Sequence, residues 1–197
     1  MSLEIRRANR TRMPVLASVL ARAFIDDPIV RWPLPDDVDD LEDRVRSMFT
    51  WAYEDLADLG MVWEAGDADG VAVWVPPGGD ERLIASDKAV RGRLATLTFD
   101  SGKRYGIIWD WIEAQFPDEP HWFLDALGVD PSRRSRGIGS ALVRWGLERA
   151  ASDGVPATLE TGRPENVGYY ERLGFRVVLE GEPAPGGPHV WFMRLDP

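Results

Sequence analysis

The sequence predicts one α/β domain built on a mixed β-sheet and spanning residues 1–197. Three observations carry that expectation. Strand-like and helix-like periodicities alternate through the middle of the chain, and pairs of short apolar runs with hairpin spacing flank both ends. With 44% hydrophobic and 28% charged side chains in 197 residues, the chain also has the composition and length for one sizeable core.

The elements follow in chain order. Leu3, Glu4, Ile5 and Arg6 alternate as a strand does, and Thr11 is placed to cap a helix with an apolar face of Leu16, Val19, Leu20, Ala23 and Phe24. That helix should stop before Asp26, Asp27 and Pro28, and residues 33–37 read as loop. Leu41, Val45, Met48, Ala52, Leu56 and Leu59 recur at helical spacing up to Gly60. Residues 61–64 and 71–75 read as a hairpin turning at 67–70, and the proline-glycine run at 76–79 ends it. Residues 81–116 are mostly helical with a break near 100–102, and Ile108, Trp111, Ile112 and Gln115 share one face of the later piece. A strand is expected at 122–129, and then a helix carrying Ile138, Ala141, Leu142 and Trp145 that ends at Asp153-Gly154. A strand at 157–161, a short helix capped by Asn166 and closed by a left-handed Gly174, and strands at 175–179 and 190–195 complete the chain.

Composition removes several kinds of function. There is no cysteine, so thiolate chemistry and disulfides are excluded, and His121 and His189 are the only imidazoles, so no metal site is expected. A formal net charge of -10 argues against a nucleic-acid partner, which requires a broad basic face. No apolar run approaches the roughly 20 residues that span a bilayer, and the start lacks the apolar core of a secretory signal, so no membrane partner and a cytoplasmic location are expected.

Against this acidic background, residues 129–143 (VDPSRRSRGIGSALV) stand out. An expected strand ends at Val129, Pro131 turns the chain, and a helix begins near Gly137. The amides of residues 135–140 therefore face outward, unpaired, at a helix N-terminus, where anions bind. Gly137 and Gly139 remove side chains that would hold a phosphate away, while Arg133, Arg134 and Arg136 add charge. The stretch predicts a pyrophosphate site. Its spacing matches neither a dinucleotide fingerprint nor a nucleoside-triphosphate loop.

Residues 134–139 (RSRGIG) resemble the Q/R-x-x-G-x-G/A acetyl-CoA motif of the GNAT superfamily of N-acetyltransferases. Leu159-Glu160-Thr161, Asn166 and the run Tyr170-Glu171-Arg172-Leu173-Gly174-Phe175 are similar to that superfamily's next strand and helix, in the right order and spacing. Within it the likeness is strongest to the puromycin N-acetyltransferase group, over residues 119–193 above all, and it weakens over 31–62 and 78–117. The resemblance implies a central, mixed, mostly antiparallel sheet splayed into a V and flanked by helices. Acetyl-CoA would be the cosubstrate, its pantetheine lying between strands 122–129 and 157–161. Backbone groups of Leu127 and Val129 would hold the pantetheine and acetyl ends. Arg134, Ser135, Arg136, Gly137, Gly139 and Ser140 would take the pyrophosphate, and Asn166 would also serve the cofactor side. Arg134 stands where many relatives have glutamine. Arg133 is left to either the 3′-phosphate or water.

Acyl transfer to an amine needs a base for the incoming ammonium and an acid for the departing thiolate. Tyr170 matches the family's tyrosine acid, with Tyr169 expected to face elsewhere. Glu160 resembles the glutamate base of some members. Asp125 is a second candidate base on physical grounds, because a carboxylate in an apolar strand is costly unless partnered, and a period of two places it with Leu127 and Val129. His121 reads as a strand-edge residue and Glu64 as a weak third carboxylate. The acceptor is expected to be a small-molecule primary amine, puromycin-like or another antibiotic. Trp32, Trp51, Trp63, Trp74, Trp109 and Trp111 are candidate pocket walls, and the acidic residues at 26–27 and 36–43 are a candidate attracting field. A protein N-terminus or lysine as acceptor, or a non-catalytic acyl-CoA sensor, are the other readings. Exposed sheet edges suggest a homodimer.

Overall fold

A computed structural model describes residues 3–36 and 38–197, so Asp37, at the end of the expected loop, lies outside it, as do the first two residues of the chain. Among the described residues, seven strands form one mixed sheet in the order β1-β2-β3-β4-β5-β7-β6. They are β1 (Ile5–Arg7), β2 (Val62–Ala65), β3 (Gly70–Val75), β4 (Trp122–Val129), β5 (Ala157–Thr161), β6 (Arg176–Gly181) and β7 (Val190–Leu195). Five of the six pairings are antiparallel and only β4 and β5 run parallel. The helices are α1 (Met13–Phe24), α2 (Pro28–Arg31), α3 (Leu41–Asp58), α4 (Asp80–Leu94), α5 (Lys103–Glu113), α6 (Ile138–Asp153) and α7 (Pro164–Glu171).

The alternation of each strand divides these helices into two layers. Val71, Val73, Val75, Phe123 and Phe192 point to one face, where α1, α3, α4 and α5 cover them with Leu16, Leu20, Val45, Leu56, Leu94, Ile108 and Ile112. Ala72, Trp74, Leu124, Leu159 and Met193 point to the other, under Leu142 and Val143 of α6 and Tyr170 of α7. Most of the tryptophans belong to this packing. Trp63, Trp74, Trp122 and Trp145 stack under α6, with the Trp74 Nε1 donating to the Leu142 carbonyl at 3.1 Å. Gly146 of α6 lies directly on the Trp74 ring, where no side chain could fit, and so lets the helix approach the sheet.

Two features of β4 create the site. First, β4 and β5 pair only at Trp122–Ala157, Phe123–Thr158 and Leu124–Leu159, then part. This is the splay of the V. Second, β4 carries a bulge: Val73 of β3 faces Ala126 while Trp74 faces Leu124, so Asp125 is the extra residue.

Several local expectations need correction. Thr11 does not cap α1; its amide is instead capped by the Asn9 side chain in a one-turn 3₁₀ segment at Arg10–Arg12, and α1 starts at Met13 with Pro14 in its first turn. Asn166 does not cap α7, which begins two residues earlier because Pro164 suits a first turn. The chain also forms the short helix α2, whose start Asp27 caps by accepting from the amides of Ile29 at 2.9 Å and Val30 at 3.4 Å.

Candidate active site

The anion-binding stretch has the geometry its residues dictate. Asp130 fixes the turn after β4, accepting from the Ser132 amide at 2.9 Å and from Arg22 of α1 at 2.6 Å, and these partners hold its carboxyl at about 2. After a 3₁₀ turn at Pro131–Arg133, Ser135 and Gly137 both adopt left-handed backbone, with φ of 63° and 78°. This aims successive amides to one side. No side chain caps α6, and residues 131–137 are exposed. The first-turn amides of Ile138, Gly139 and Ser140 therefore have no intrahelical acceptor, and a Cβ on Gly137 would meet nothing within 4 Å. An uncapped, open helix N-terminus of this kind fits a pyrophosphate.

The three arginines differ. Arg133 pairs with Asp69 of the β2–β3 hairpin at 3.0 Å, a half-exposed contact that ties the loop to the hairpin. Arg134 and Arg136 are exposed and, among the described residues, in no ion pair. Tyr169 turns toward this loop, its hydroxyl 3.2 Å from the Ser140 Oγ. Its ring nevertheless stays edge-on to that of Tyr170, with centroids 5.1 Å apart, so the two tyrosines are neighbours that differ in where their hydroxyls reach.

Where β4 and β5 part, a cavity of about 100 Å³ opens. Leu127, Asp125, Glu160, Asn166 and Tyr170 all line it, so five of the residues singled out from sequence meet in one place. The Asn166 amide donates to the Thr161 Oγ1 at 3.1 Å and ties α7 to the end of β5. Tyr170, four residues on, shares its face of the helix. Burial, with Tyr169 and Glu160 nearby, raises the Tyr170 hydroxyl above its ordinary value, so it stays protonated at neutral pH.

Glu160 is partly accessible and lines the cavity, and among the described residues its Oε2 has no hydrogen-bond partner. Arg163, a possible holder for it, pairs with Glu165 at 2.7 Å instead. Burial and the neighbouring Asp125 push the Glu160 carboxyl well above the usual range. Asp125 is 8% exposed, and among the described residues neither of its oxygens meets hydrogen-bond geometry. Burial pushes it up to about 7, against the pull of the nearby Tyr53 hydroxyl. The bulge explains its position. The period-of-two expectation placed Asp125 with Leu127 and Val129, but those pack on the α6 layer while Asp125 turns to Tyr53 of α3.

The rest of the cavity wall was only partly legible. Trp109 is the one tryptophan of the six candidates that lines it, beside Phe24, Phe49, Tyr53 and Tyr105. Trp32 borders a separate open groove with Arg31 and Arg104. Asp27 of the acidic 26–27 pair is not a solvated charge: it is 5% exposed and faces the same cavity, its carboxyl raised by burial. Glu64 is excluded as a base, since Arg6 and Arg12 hold it at 2.9 and 2.7 Å on the far side of β2. His121 is buried, with Nδ1 at 3.0 Å from the Glu119 carbonyl.

The family model described as the acetyltransferase (GNAT) family matches residues 27–175. The chain belongs to that family. The match takes in the cavity residue Asp27 at one end and α7 at the other. Among solved structures, a histone acetyltransferase HPA2 and related acetyltransferase from Corynebacterium glutamicum is 26% identical, with a TM-score of 0.72 over 100% of this chain and 97% of that one. The PaiA N-acetyltransferase of Thermoplasma acidophilum, solved with coenzyme A, shares the GNAT fold at 14% identity and a TM-score of 0.59, over 100% of each chain. The peptidyl-lysine N-acetyltransferase YjaB of Salmonella typhimurium is 33% identical over 79 residues, which are 36% of this chain and 53% of that protein. The chain thus spans about half the length of that curated relative. Among the described residues no helix is long and apolar enough to cross a membrane, and no group of three acidic or imidazole side chains could hold a metal ion.

Proposed function

We propose that this GNAT-family chain, acting as one domain over residues 1–197, transfers the acetyl group of acetyl-CoA directly to a primary amine of a small molecule. The observation that carries the reading is the meeting of Tyr170, Glu160 and Asp125 around one cavity at the mouth of the V, next to the open N-terminus of α6.

Bound acetyl-CoA supplies the acetyl group as an activated thioester. Ile138, Gly139 and Ser140 offer amides to its pyrophosphate, Arg134 and Arg136 offer charge, and Leu127 and Val129 offer the unpaired edge of β4. Glu160 accepts the proton of the acceptor ammonium, which frees the lone pair that forms the new C–N bond. Burial and the nearby Asp125 raise its pKa, which makes it a stronger proton acceptor than an ordinary carboxylate. As the C–S bond breaks, the Tyr170 hydroxyl gives its proton to the sulfur; the second proton that the acceptor nitrogen sheds in becoming an amide passes to solvent, from which the tyrosinate is reprotonated. Retention of both groups beside an open cavity favours an enzyme over an acyl-CoA sensor.

The cavity is enclosed by aromatic rings and by Ile29 and Val30 of α2, which favours a small acceptor over a polypeptide. Puromycin-like and other antibiotic amines are the first acceptors the sequence likeness suggests, and the cytoplasm is the expected location. The likeness to a peptidyl-lysine N-acetyltransferase supports a lysine side chain as the second reading. Thiol release from acetyl-CoA, followed with small primary amines, puromycin and lysine-containing peptides, tests the proposal. Stoichiometric thiol and N-acetylated small amine are expected. Turnover confined to peptides would overturn the small-molecule reading, and saturable binding with no turnover on any acceptor would overturn the enzyme.

A further inference from the structure

Three carboxylates face the acceptor cavity, and two of them have an assigned role. Glu160 is placed as the base. Asp27 is satisfied by the Ile29 and Val30 amides, with Arg163 as a nearby countercharge. Asp125 has no role and no charged partner; its polar neighbour is the Tyr53 hydroxyl, which brings no positive charge. It is 8% exposed and, among the described residues, neither of its oxygens meets hydrogen-bond geometry and no lysine or arginine lines the cavity. It belongs to no group that could hold a metal ion among the described residues. A buried carboxylate left in this state is unfavourable until a cation reaches it. The surrounding wall of Phe49, Tyr53, Tyr105 and Trp109 is of a kind that attracts cations to ring faces and phenol oxygens.

We propose that the acceptor is a dication: a primary amine carrying a second ammonium or guanidinium group, with the reacting nitrogen at Glu160 and the second charge on Asp125. This deepens the transferase reading above and rests on it. Asp125 and Glu160 each follow the last paired residues, Leu124 and Leu159, and the strands diverge from there. Neighbouring strands lie about 4.8 Å apart where paired, so the two carboxylates stand on the order of 5–10 Å apart and fit a spacer of about three to five methylene groups. A peptide-bound lysine or a monoamine such as puromycin would leave Asp125 uncovered.

The test compares 1,4-diaminobutane with n-butylamine and 4-aminobutan-1-ol, equal in reach and lacking the second charge, as acceptors for the full chain with acetyl-CoA. The diamine is expected to exceed both in kcat/KM by at least about tenfold, the scale set by pairing a desolvated charge. In Asp125→Asn that preference should fall to within about threefold, through KM for the diamine. A preference near unity in the unsubstituted protein overturns the proposal whether or not the variant folds. So does a loss in Asp125→Asn that falls on kcat for all three amines in equal proportion, which would make Asp125 the base. Transfer to butylamine or puromycin without diamine preference leaves the transferase reading standing, whereas no transfer to any amine or peptide removes both.

Discussion

Leu124 and Leu159 are the last facing residues of β4 and β5, and Asp125 and Glu160, next along each strand, stand where the strands part. The two carboxylates thus share one cavity because the sheet fails to pair beyond that point. Their electrostatics give the first prediction. Titration of an ordinary aspartate in the unfolded chain starts from 3.8, whereas Asp125 in the folded protein sits at about 7, facing Tyr53 of α3, Tyr105 of α5, Glu160 of β5 and the more distant Asp87 of α4. The folded state therefore holds the extra proton between those values. Its contribution to stability is full below the lower value and is lost as pH rises through the upper one. Asp125→Asn removes that loss and should raise stability at pH 8 by about 1–3 kcal/mol, with little gain at pH 4. Thermal melts at the two pH values check this, and an equal change at both would refute it.

Glu160 should govern the acidic limb of activity. Because burial and Asp125 raise its pKa, kcat/KM should fall with decreasing pH well above the ordinary carboxylate range. Glu160→Gln should cost about 10²–10⁴ in kcat and remove that limb. A pH–rate profile of both proteins decides the point; a limb that survives in the variant belongs to another group.

The cradle predicts a separation between folding and cofactor affinity. Gly137 has φ of 78° but open space around it, so Gly137→Ala should cost only about 1–2 kcal/mol of backbone strain. The added methyl would stand where the phosphate approaches, so the Kd for acetyl-CoA should rise more than stability falls. Arg134→Ala and Arg136→Ala should leave the melt unchanged and weaken binding with a reduced salt dependence. Calorimetric titrations at two salt concentrations, beside melts, measure all three.

Gly146 gives a purely structural prediction. A methyl at this position would enter the Trp74 ring, so Gly146→Ala should destabilise by about 3 kcal/mol or more as α6 is pushed from the sheet. Denaturant unfolding followed by tryptophan fluorescence reads it, and a change below about 1 kcal/mol would contradict the packing described.

The parts of this site that follow local rules were legible in the sequence. The strand at 122–129 matches, and so does the helix start beside Gly137, because turn chemistry and periodicity act over a few residues; the left-handed backbone of Gly137 and Ser135 was not foreseen. The side that Asp125 faces was not legible, since a bulge is fixed by how two strands register and leaves β4 looking like an ordinary alternation. Asp27 was hidden for a similar reason: an acidic pair beside proline reads as solvated loop until α2 folds it over the cavity. The tryptophans misled by number, because four of the nine pack at α6, others sit against the opposite layer, and only Trp109 among the six lines the cavity.

The most direct test of the central claim pairs two measurements on Tyr170→Phe: kcat for acetyl transfer to a primary amine, and the Kd for acetyl-CoA. The hydroxyl is assigned to the departing sulfur alone, so kcat should fall by about 10²-fold or more while Kd stays within about twofold. An unchanged kcat, or a loss of activity matched by a loss of binding, would contradict the account.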